Sequence, residues 1–507
     1  MLTDRGSGIL LHPTSLPGLF GSGDFGTDAY MFVDWLASCG QTYWQLLPMG
    51  EIGAGNSPYM SSSAFAGSFL LIDPIELASY GWLSRNDLSP HLKFSDDRID
   101  YALLKTFRMK LLRRAATNFF SVSDDKMHAE FQEFCDIEYE WLRDYALFMT
   151  ISASQYWQDW SQWPKELAHR NQQALSRMEL ACTDEILFWK FCQWCFSRQW
   201  SKLKHYANRQ GVRIIGDMPI FVAYNSADVW AHQELFKLDE SGRPSAIAGV
   251  PPDYFSETGQ LWGNPLYRWN VHEQSGYAWW IARLRHALLQ ADVVRIDHFR
   301  GFAAYWEIPP NSPNAINGKW QQGPGEKLFK AFENAFPHLP IIAEDLGLIT
   351  PDVLALRDQF RMPGMRILQF AFSDKDNHFL PHHYTKNTVA YTGTHDNDTT
   401  LGWWNSAPSH EKDFALNYLA SDGDAINWDM MRALSQSVAN TAIFPMQDVL
   451  GLPGECRMNF PGHQTGYWEW RFSWEQIQQE QSRALKEMSA NNGRTKRQRL
   501  NQQSNKL

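Results

Sequence analysis

The chain has 507 residues, of which 44% are hydrophobic, enough to form a large core. Its formal net charge of −10 argues against a nucleic acid as the main partner. The sequence contains no run of about 20 apolar residues, so we expect no membrane span.

The cysteines and the first residues favour a cytoplasmic protein. Six cysteines in a chain of this length do not make a disulfide framework. Cys192 and Cys195 form a C-x-x-C pattern inside a helix-like segment, and because no second pair follows at zinc-site spacing, we interpret both as packing residues. The N-terminal residues lack a basic region followed by a long apolar core, so we expect no secretory signal.

Eight short apolar runs recur along the chain, several of them after a helix-like segment. Such nearly continuous hydrophobicity is typical of parallel strands covered by helices. Eight strands with intervening helices predict an α/β fold, a closed (β/α)8 TIM barrel within residues 1–475, with an open doubly wound sheet as the alternative. The runs span residues 8–11, 43–47, 212–216, 293–296, 340–343, 365–370, 388–393 and 442–446.

Two connections, after the second and the third predicted strand, are too long for simple crossovers. Residues 66–190 contain several helix-like segments and are predicted to form a mostly helical insertion. Residues 218–291 are rich in glycine, proline, asparagine and aromatic residues. They are predicted to form a loop-rich insertion over the C-terminal ends of the strands, where a (β/α)8 barrel carries its active site. Beyond the barrel we expect a C-terminal helix at 476–490 and a disordered, basic tail at 491–507.

The stretch GSGDFG at 21–26 matches the glycine pattern of dinucleotide-binding proteins. In those proteins the pattern follows a strand at once, whereas here about nine residues intervene. The next predicted strand ends in Leu47 and Pro48 rather than in an acid that could bind a ribose. We therefore do not predict a dinucleotide site.

Charged residues follow several of the predicted strands, at the end where (β/α)8 barrels carry their active sites. Any one of these charged residues alone is more simply explained as a helix cap or as part of a salt bridge. Four carboxylates at one rim, however, would repel one another unless a ligand or Arg295 offsets their negative charge. The residues are Asp217, Asp297, Glu344 and the pair His395–Asp396.

Metal binding and glycoside chemistry are the two alternatives for this cluster. The sequence has no D-x-D-x-D loop, no H-E-x-x-H and no P-loop, so we expect no metal and no cofactor. Retaining glycosidases need an ionised carboxylate as nucleophile and a carboxylic acid with a raised pKa as proton donor. Most of the 23 tryptophans are expected in the core, whereas tryptophan and tyrosine in polar, glycine-rich loops would suit stacking on sugar rings.

Local sequence suggests which carboxylate has which role. Arg295 lies two residues before Asp297 on the same strand face, so its charge should hold Asp297 ionised as the nucleophile. Glu344 follows three apolar residues, and desolvation would raise its pKa into the range of a proton donor. Asp396 would bind sugar hydroxyls, and Asp345 should point away from the site.

Nine blocks along residues 6 to 475 resemble the amylomaltases, or 4-α-glucanotransferases, of glycoside hydrolase family 77. They are LLHPTSLPG, YWQLLPMG, NSPYMSSSAFAG, GDMPIFVAYNSADVW, GVPPDYFSETGQLWGNPLY, RIDHFRGF, AEDLG, THDN and RMNFPG, in this order.

The resemblance implies roles for individual residues. Asp297 would be the nucleophile, Glu344 the acid/base and Asp396 the transition-state stabiliser, as their positions also suggest. The implied sugar contacts are Ser57, Tyr59, Asp217, Asp253, Gln260, Trp262, Arg295, His298, His395 and Asn459.

The family reaction transfers a segment of an α-1,4-glucan to the 4-hydroxyl of another glucose or glucan, so the expected partners are α-1,4-glucans and maltooligosaccharides. A plain α-glucan hydrolase and a catalytically dead glucan-binding scaffold are the alternatives. Residues 246–268 are predicted to favour transfer by orienting the acceptor.

Two positions depart from the family pattern. Tyr467 stands where members often have asparagine, and Ala54 stands where some have an aromatic residue. The preferred chain length, the formation of cyclic glucans and the choice between monomer and homodimer remain open from sequence.

Overall fold

The structure, a computed structural model, describes residues 2–89, 92–252, 256–463 and 465–495. Its strands in chain order are β1 (Gly6–Leu10), β2 (Tyr43–Gln45), β3 (Arg213–Pro219), β4 (Ile247–Val250), β5 (Gln260–Pro265), β6 (Val293–Asp297), β7 (Ala304–Ile308), β8 (Lys319–Gln322), β9 (Ile341–Ala343), β10 (Gly364–Ile367), β11 (Thr388–Tyr391) and β12 (Thr441–Pro445).

Eight of these strands close into a parallel barrel, which confirms the predicted (β/α)8 fold. Around the barrel the order is β1-β12-β11-β10-β9-β6-β3-β2. Each of the eight apolar runs of the sequence overlaps one barrel strand. Every residue of β1, β11 and β12 is buried. In a closed barrel the inner face of each strand packs against the side chains of the barrel interior, and the outer face is covered by helices.

The helices are α1 (Thr27–Ser38), α2 (Pro74–Ser79), α3 (Tyr101–Val122), α4 (Asp125–Ile137), α5 (Tyr139–Ser154), α6 (Lys165–Ala168), α7 (Gln172–Ala181), α8 (Thr183–Gln210), α9 (Ala227–Ala231), α10 (Trp269–Gln274), α11 (Ala278–Gln290), α12 (Glu326–Ala335), α13 (Pro351–Gln359), α14 (Thr400–Ser406), α15 (Ser409–Leu419), α16 (Ile426–Gln436), α17 (Met446–Leu450) and α18 (Gln479–Asn491).

Helices α2 to α8 fill the long connection between β2 and β3. The last of them, α8, ends at Gly211, whose φ of 89° lies in the left-handed region that glycine adopts without steric strain. The chain then enters β3 two residues later. The helical segment is thereby joined directly to the strand that carries Asp217.

The segment predicted as loop-rich, residues 218–291, contains two strands that the sequence did not indicate. Strands β4 and β5 pair in antiparallel fashion and join β7 and β8 in a second sheet of order β5-β4-β7-β8. Since β7 and β8 follow β6, this sheet is built from two separate excursions out of the barrel. It carries Gln260 and Trp262 on β5.

The C-terminal part departs from the predicted tail at 491–507. Helix α18 extends to Asn491, and Arg494 is fully buried, with hydrogen bonds of 2.9 and 3.1 Å to the carbonyls of Gly6 and Asn440. Arg494, within the predicted tail, is therefore packed against the start of β1. The remainder of the predicted tail, residues 496–507, lies outside the described residues.

Candidate active site

The C-terminal ends of the barrel strands bring the four predicted carboxylates to one rim. Asp217 lies in β3 and Asp297 ends β6, while Glu344 directly follows β9 and Asp396 lies beyond the end of β11. Strand β6 lies between β3 and β9. Asp297 therefore has the Asp217 strand on one side and the Glu344 strand on the other.

A buried guanidinium joins two of these carboxylates. Arg295 and Asp217 are paired residues of β6 and β3, and Nη1 of Arg295 donates to both carboxylate oxygens of Asp217 at 2.8 and 2.6 Å. Nη2 of Arg295 donates to Oδ1 of Asp297 at 2.9 Å. The Arg295 side chain is only 4% exposed, so its positive charge offsets a repulsion that water could not screen.

Tyr59 extends this network towards the opposite side of the rim. Its hydroxyl donates to Oδ2 of Asp217 at 2.8 Å, and its ring stacks on that of His395, with centroids 5.2 Å apart and planes 11° from parallel. The hydroxyl of Ser57 accepts a hydrogen bond of 3.2 Å from the backbone N–H of Tyr59. Ser57 thus fixes the short helix Pro58–Met60 that presents Tyr59.

Glu344 is held by two backbone donors. Oε2 accepts a hydrogen bond of 2.6 Å from the N–H of His298, and Oε1 accepts one of 2.8 Å from the N–H of Leu346. His298 has a φ of 52°, so the chain turns directly after Asp297 and directs this N–H at Glu344. In the adjacent strands Ile296 pairs with Ala343, which places Asp297 and Glu344 side by side at the strand ends.

Asp396 is held from the other side of the barrel mouth. The side-chain amide of Asn459 donates to Oδ1 of Asp396 at 2.7 Å, and Nε2 of His395 lies 3.4 Å from the same oxygen. Arg457 donates to the backbone carbonyls of Asp396 and Asn459, both at 2.8 Å. Oδ2 of Asp396 has no protein hydrogen bond among the described residues and is available to a ligand.

An aromatic wall formed by β5 and the chain after β3 borders the cluster. The Trp262 ring meets the His298 ring edge to face at 4.7 Å, and Phe221 lies 6.3 and 6.4 Å from the rings of Trp262 and His298. The indole N–H of Trp262 donates to the side-chain carbonyl of Gln260 at 3.1 Å. A flat, apolar surface beside hydrogen-bonding groups suits the faces and hydroxyls of sugar rings.

The two central carboxyls have different proton affinities. Burial, followed by the negative charge of Asp297, raises the pKa of Glu344 to about 8. Burial also raises the pKa of Asp297 to about 6, against the opposing charge of Arg295. Between these values Asp297 is ionised while Glu344 keeps its proton. The sequence indicated the charge of Arg295 but not the burial, which has the larger effect on the pKa of Asp297.

Burial favours the neutral form of the two histidines of the site. Burial lowers the pKa of His298 to about 3, with Arg300 contributing in the same direction, and burial lowers the pKa of His395. The Nε2 atom of His298 is buried without a hydrogen-bond partner among the described residues. As a neutral imidazole it can exchange one hydrogen bond with a sugar hydroxyl.

Most of the site residues predicted from sequence meet at this rim. Asp253 lies outside the described residues. Asp345, expected to point away from the site, is buried and accepts hydrogen bonds from Arg357 of α13 and from the N–H of Met365, with no hydrogen bond to the other carboxylates of the rim among the described residues.

Sequence reasoning missed Phe221, Arg457 and Trp468, which contact the predicted residues. The Trp468 ring lies 5.8 and 5.7 Å from the rings of Tyr59 and His395. Arg457 lies two residues before Asn459 in a block already singled out, and that proximity was the available signal.

The described part of the chain has neither a metal-binding cluster nor a membrane-spanning helix. No group of three or more histidine, cysteine, aspartate or glutamate side chains there is arranged to hold a metal ion. In the same ranges no helix has the length and apolar character needed to cross a bilayer.

A family model described as 4-alpha-glucanotransferase, that of glycoside hydrolase family 77, matches residues 11–478. The chain belongs to this family. It is 49% identical over 494 residues to a 4-alpha-glucanotransferase of Thermus thermophilus, a match covering 96% of this chain and 98% of the relative. A second 4-alpha-glucanotransferase, from Synechocystis, is 47% identical and is matched over 94% of this chain and 95% of its own.

Solved structures show the same relationship. The amylomaltase of Streptococcus agalactiae, solved in complex with acarbose, superposes with a TM-score of 0.95 at 39% identity, covering 97% of this chain and all of that one. An amylomaltase of Corynebacterium glutamicum shares the fold with a TM-score of 0.75 at 18% identity, covering 97% of this chain and 75% of that one.

Proposed function

We propose that this chain carries out the 4-α-glucanotransferase reaction of its family by a retaining double displacement, in which Asp297 is the nucleophile and Glu344 the acid/base. The observation that carries the proposal is the pair of carboxyls on adjacent strand ends whose pKa values differ in the required order. A nucleophile must be ionised and a general acid protonated at the same pH.

In the first step Asp297 attacks the anomeric carbon of a glucose unit in an α-1,4-glucan. The bond to the glycosidic oxygen breaks, and the Glu344 carboxyl gives its proton to that oxygen, so the departing sugar leaves with a free 4-hydroxyl. The donor segment remains as an ester of Asp297, and Glu344 is left as a carboxylate.

In the second step Glu344 acts as the base. It takes the proton from the 4-hydroxyl of an acceptor glucose or glucan, whose oxygen attacks the anomeric carbon and displaces Asp297. Two inversions at this carbon restore the α-configuration, and the new α-1,4 bond replaces the one that was broken.

Asp396 is proposed to stabilise the flattened, positively charged ring of the transition state. Asn459 fixes one carboxylate oxygen, which leaves the other to bind ring hydroxyls and to offset the developing charge. Asp217 accepts hydrogen bonds from Arg295 and Tyr59. It would form the polar surface that contacts the same sugar unit.

The balance between transfer and hydrolysis depends on whether water or a sugar hydroxyl reaches the ester. Strand β5 places Gln260 and Trp262 against His298, the residue after Asp297. An acceptor sugar stacked there would occupy the space that an attacking water needs. These residues therefore support transfer over the α-glucan hydrolase alternative.

Incubation with maltotriose tests the function. Transfer yields glucose together with longer maltodextrins and leaves the number of reducing ends constant, whereas hydrolysis raises that number. Asp297→Asn, which preserves shape but removes the negative charge, should lose turnover while still binding maltodextrins. A rise in reducing ends that matches the glucose released would identify a hydrolase, and binding without turnover by the wild-type chain would identify a scaffold.

A further inference from the structure

The turn after helix α5 presents two aromatic side chains to solvent. Tyr156 is 87% exposed and Trp157 is 56% exposed. Neither ring forms a hydrogen bond or a ring contact with another side chain in the described ranges. Large aromatic residues are normally buried, since burial of their area stabilises the fold, so an exposed neighbouring pair calls for an explanation.

The backbone of this pair is strained. Tyr156 has a φ of 56° and Trp157 a φ of 62°, in the left-handed region that glycine usually fills at the end of a helix. The N–H of Trp157 donates to the carbonyl of Ser152 at 2.7 Å and closes α5. Glycine would make the same turn without strain, and since both side chains are more than half exposed, their burial offsets little of that strain.

Two buried tryptophans hold the turn in place. Trp160 is fully buried, and its indole N–H donates to the carbonyl of Tyr224 at 3.0 Å while its backbone N–H donates to Oδ1 of Asn225 at 3.2 Å. The indole N–H of Trp163, also buried, donates to the carbonyl of Gln158 at 3.1 Å. The turn that carries the two exposed rings is therefore held in place by these buried contacts.

The partners of Trp160 lie on the same rim as the active site. Tyr224 and Asn225 follow the C-terminal end of β3, and Phe221 of the aromatic wall lies four residues before Asn225, at most about 14 Å of extended chain. Within residues 155–163 the polar side chains are uncharged or acidic, since this segment contains no lysine or arginine. The exposed Gln158 and Gln162 offer amide groups to hydroxyls.

We propose that Tyr156 and Trp157 form an accessory binding platform for long α-glucan chains, outside the active-site cleft. This inference rests on the proposed function, because it takes the glucan substrate as the ligand. The two rings would stack on the apolar faces of glucose units while the glutamine amides bind their hydroxyls. A long chain held both here and in the cleft gains effective concentration that a trisaccharide bound in the cleft does not.

The double variant Tyr156→Gly/Trp157→Gly tests the platform in the full-length chain. Its apparent dissociation constant for glycogen, from mobility in native gels containing glycogen, should rise roughly two- to tenfold, since aromatic contacts of this kind contribute about 0.5–1.5 kcal/mol. The rate of maltotriose disproportionation should not change. The midpoint of thermal unfolding should stay equal or rise, because glycine relieves the left-handed strain, which separates lost binding from damaged folding.

Tyr139→Ala is the matched control, because Tyr139 is 54% exposed at the other end of α5, about 24 Å away. It should leave glycogen mobility unchanged. Wild-type mobility in the double variant would overturn the proposal. So would a self-association of the wild-type chain that the double variant loses, since the pair would then be an interface between two copies. If the wild-type chain failed on maltotriose but bound glycogen through the pair, the proposed function would fall and the platform would stand.

Discussion

The backbone N–H of His298 donates a hydrogen bond of 2.6 Å to Oε2 of Glu344. Because His298 directly follows Asp297, this bond fixes the proposed acid against the strand that carries the proposed nucleophile. The donors from His298 and Leu346 lower the pKa of Glu344, but burial and the charge of Asp297 raise it more. Between about pH 6 and pH 8, Glu344 therefore keeps its proton while Asp297 is ionised.

The first prediction concerns the dependence of activity on pH. The value of kcat/KM should rise as Asp297 loses its proton, near pH 6, and fall as Glu344 loses its proton, near pH 8. Initial rates with maltotriose from pH 4.5 to 9.5 measure both limbs. In Glu344→Gln, assayed with an α-maltosyl fluoride whose leaving group needs no proton, the alkaline limb should vanish from the release of fluoride. A wild-type rate that keeps increasing through pH 9 would contradict the acid role.

The second prediction concerns the dependence of stability on pH. Since the pKa of Glu344 lies above its unfolded value of 4.5, the folded state binds more protons between that value and about pH 8. The free energy of unfolding should therefore fall as pH rises through this window. Glu344→Gln cannot ionise, so its stability relative to wild type should increase from pH 5 to pH 9, by an amount on the order of 3 kcal/mol.

Urea unfolding at the two pH values measures this difference. Glu333→Gln, which removes an exposed carboxylate of α12, is the control and should show no such trend. Parallel stability curves for wild type and Glu344→Gln would mean that Glu344 ionises freely in the fold.

The third prediction concerns Arg295. Replacing it by methionine leaves the carboxylates of Asp217 and Asp297 close together without their shared cation. We expect a loss of about 3–5 kcal/mol in the free energy of unfolding at pH 7, together with a shift of the acidic activity limb to higher pH. Arg295→Lys keeps the charge but not the forked geometry, so its stability and the position of its acidic limb should lie between those of the wild type and of the methionine variant. An unshifted acidic limb in the methionine variant would show that Arg295 does not act on Asp297.

The fourth prediction separates the two contacts of Tyr59. Tyr59→Phe removes the hydrogen bond to Asp217 but keeps the ring on His395, so kcat/KM should fall by roughly three- to tenfold. Tyr59→Ala removes both contacts and should cause a larger loss. Kinetics of maltotriose disproportionation for the two variants provide the comparison, and equal losses would show that the stacking has no role.

The barrel and its carboxylates were predictable because their signals are local. Each barrel strand is a short apolar run, and each charged residue of the rim lies near the end of one. The same-face spacing of Arg295 and Asp297 also predicts their ion pair, which the structure forms at 2.9 Å.

The second sheet was not predictable in the same way. Strand β4 pairs with β7, more than 50 residues later in the chain, and β5 contains Gly263 and Pro265, residues that normally indicate turns. The upward shift in the pKa of Asp297 was also not predictable from the sequence. It is caused mainly by burial, and burial depends on packing between segments that are distant in the chain. The left-handed backbone at Tyr156 and Trp157 contradicts local preference and is visible only in the folded chain.

The most direct measurement is the trapping of a covalent glycosyl-enzyme. Treatment of Glu344→Gln with α-maltotriosyl fluoride allows attack without an acid, while the missing base prevents the second step. Mass spectrometry of the digested protein should find one maltotriosyl group on the peptide that contains Asp297, and none when Asp297→Asn is added. A sugar attached to any other residue, or equal labelling of the double variant, would contradict the account.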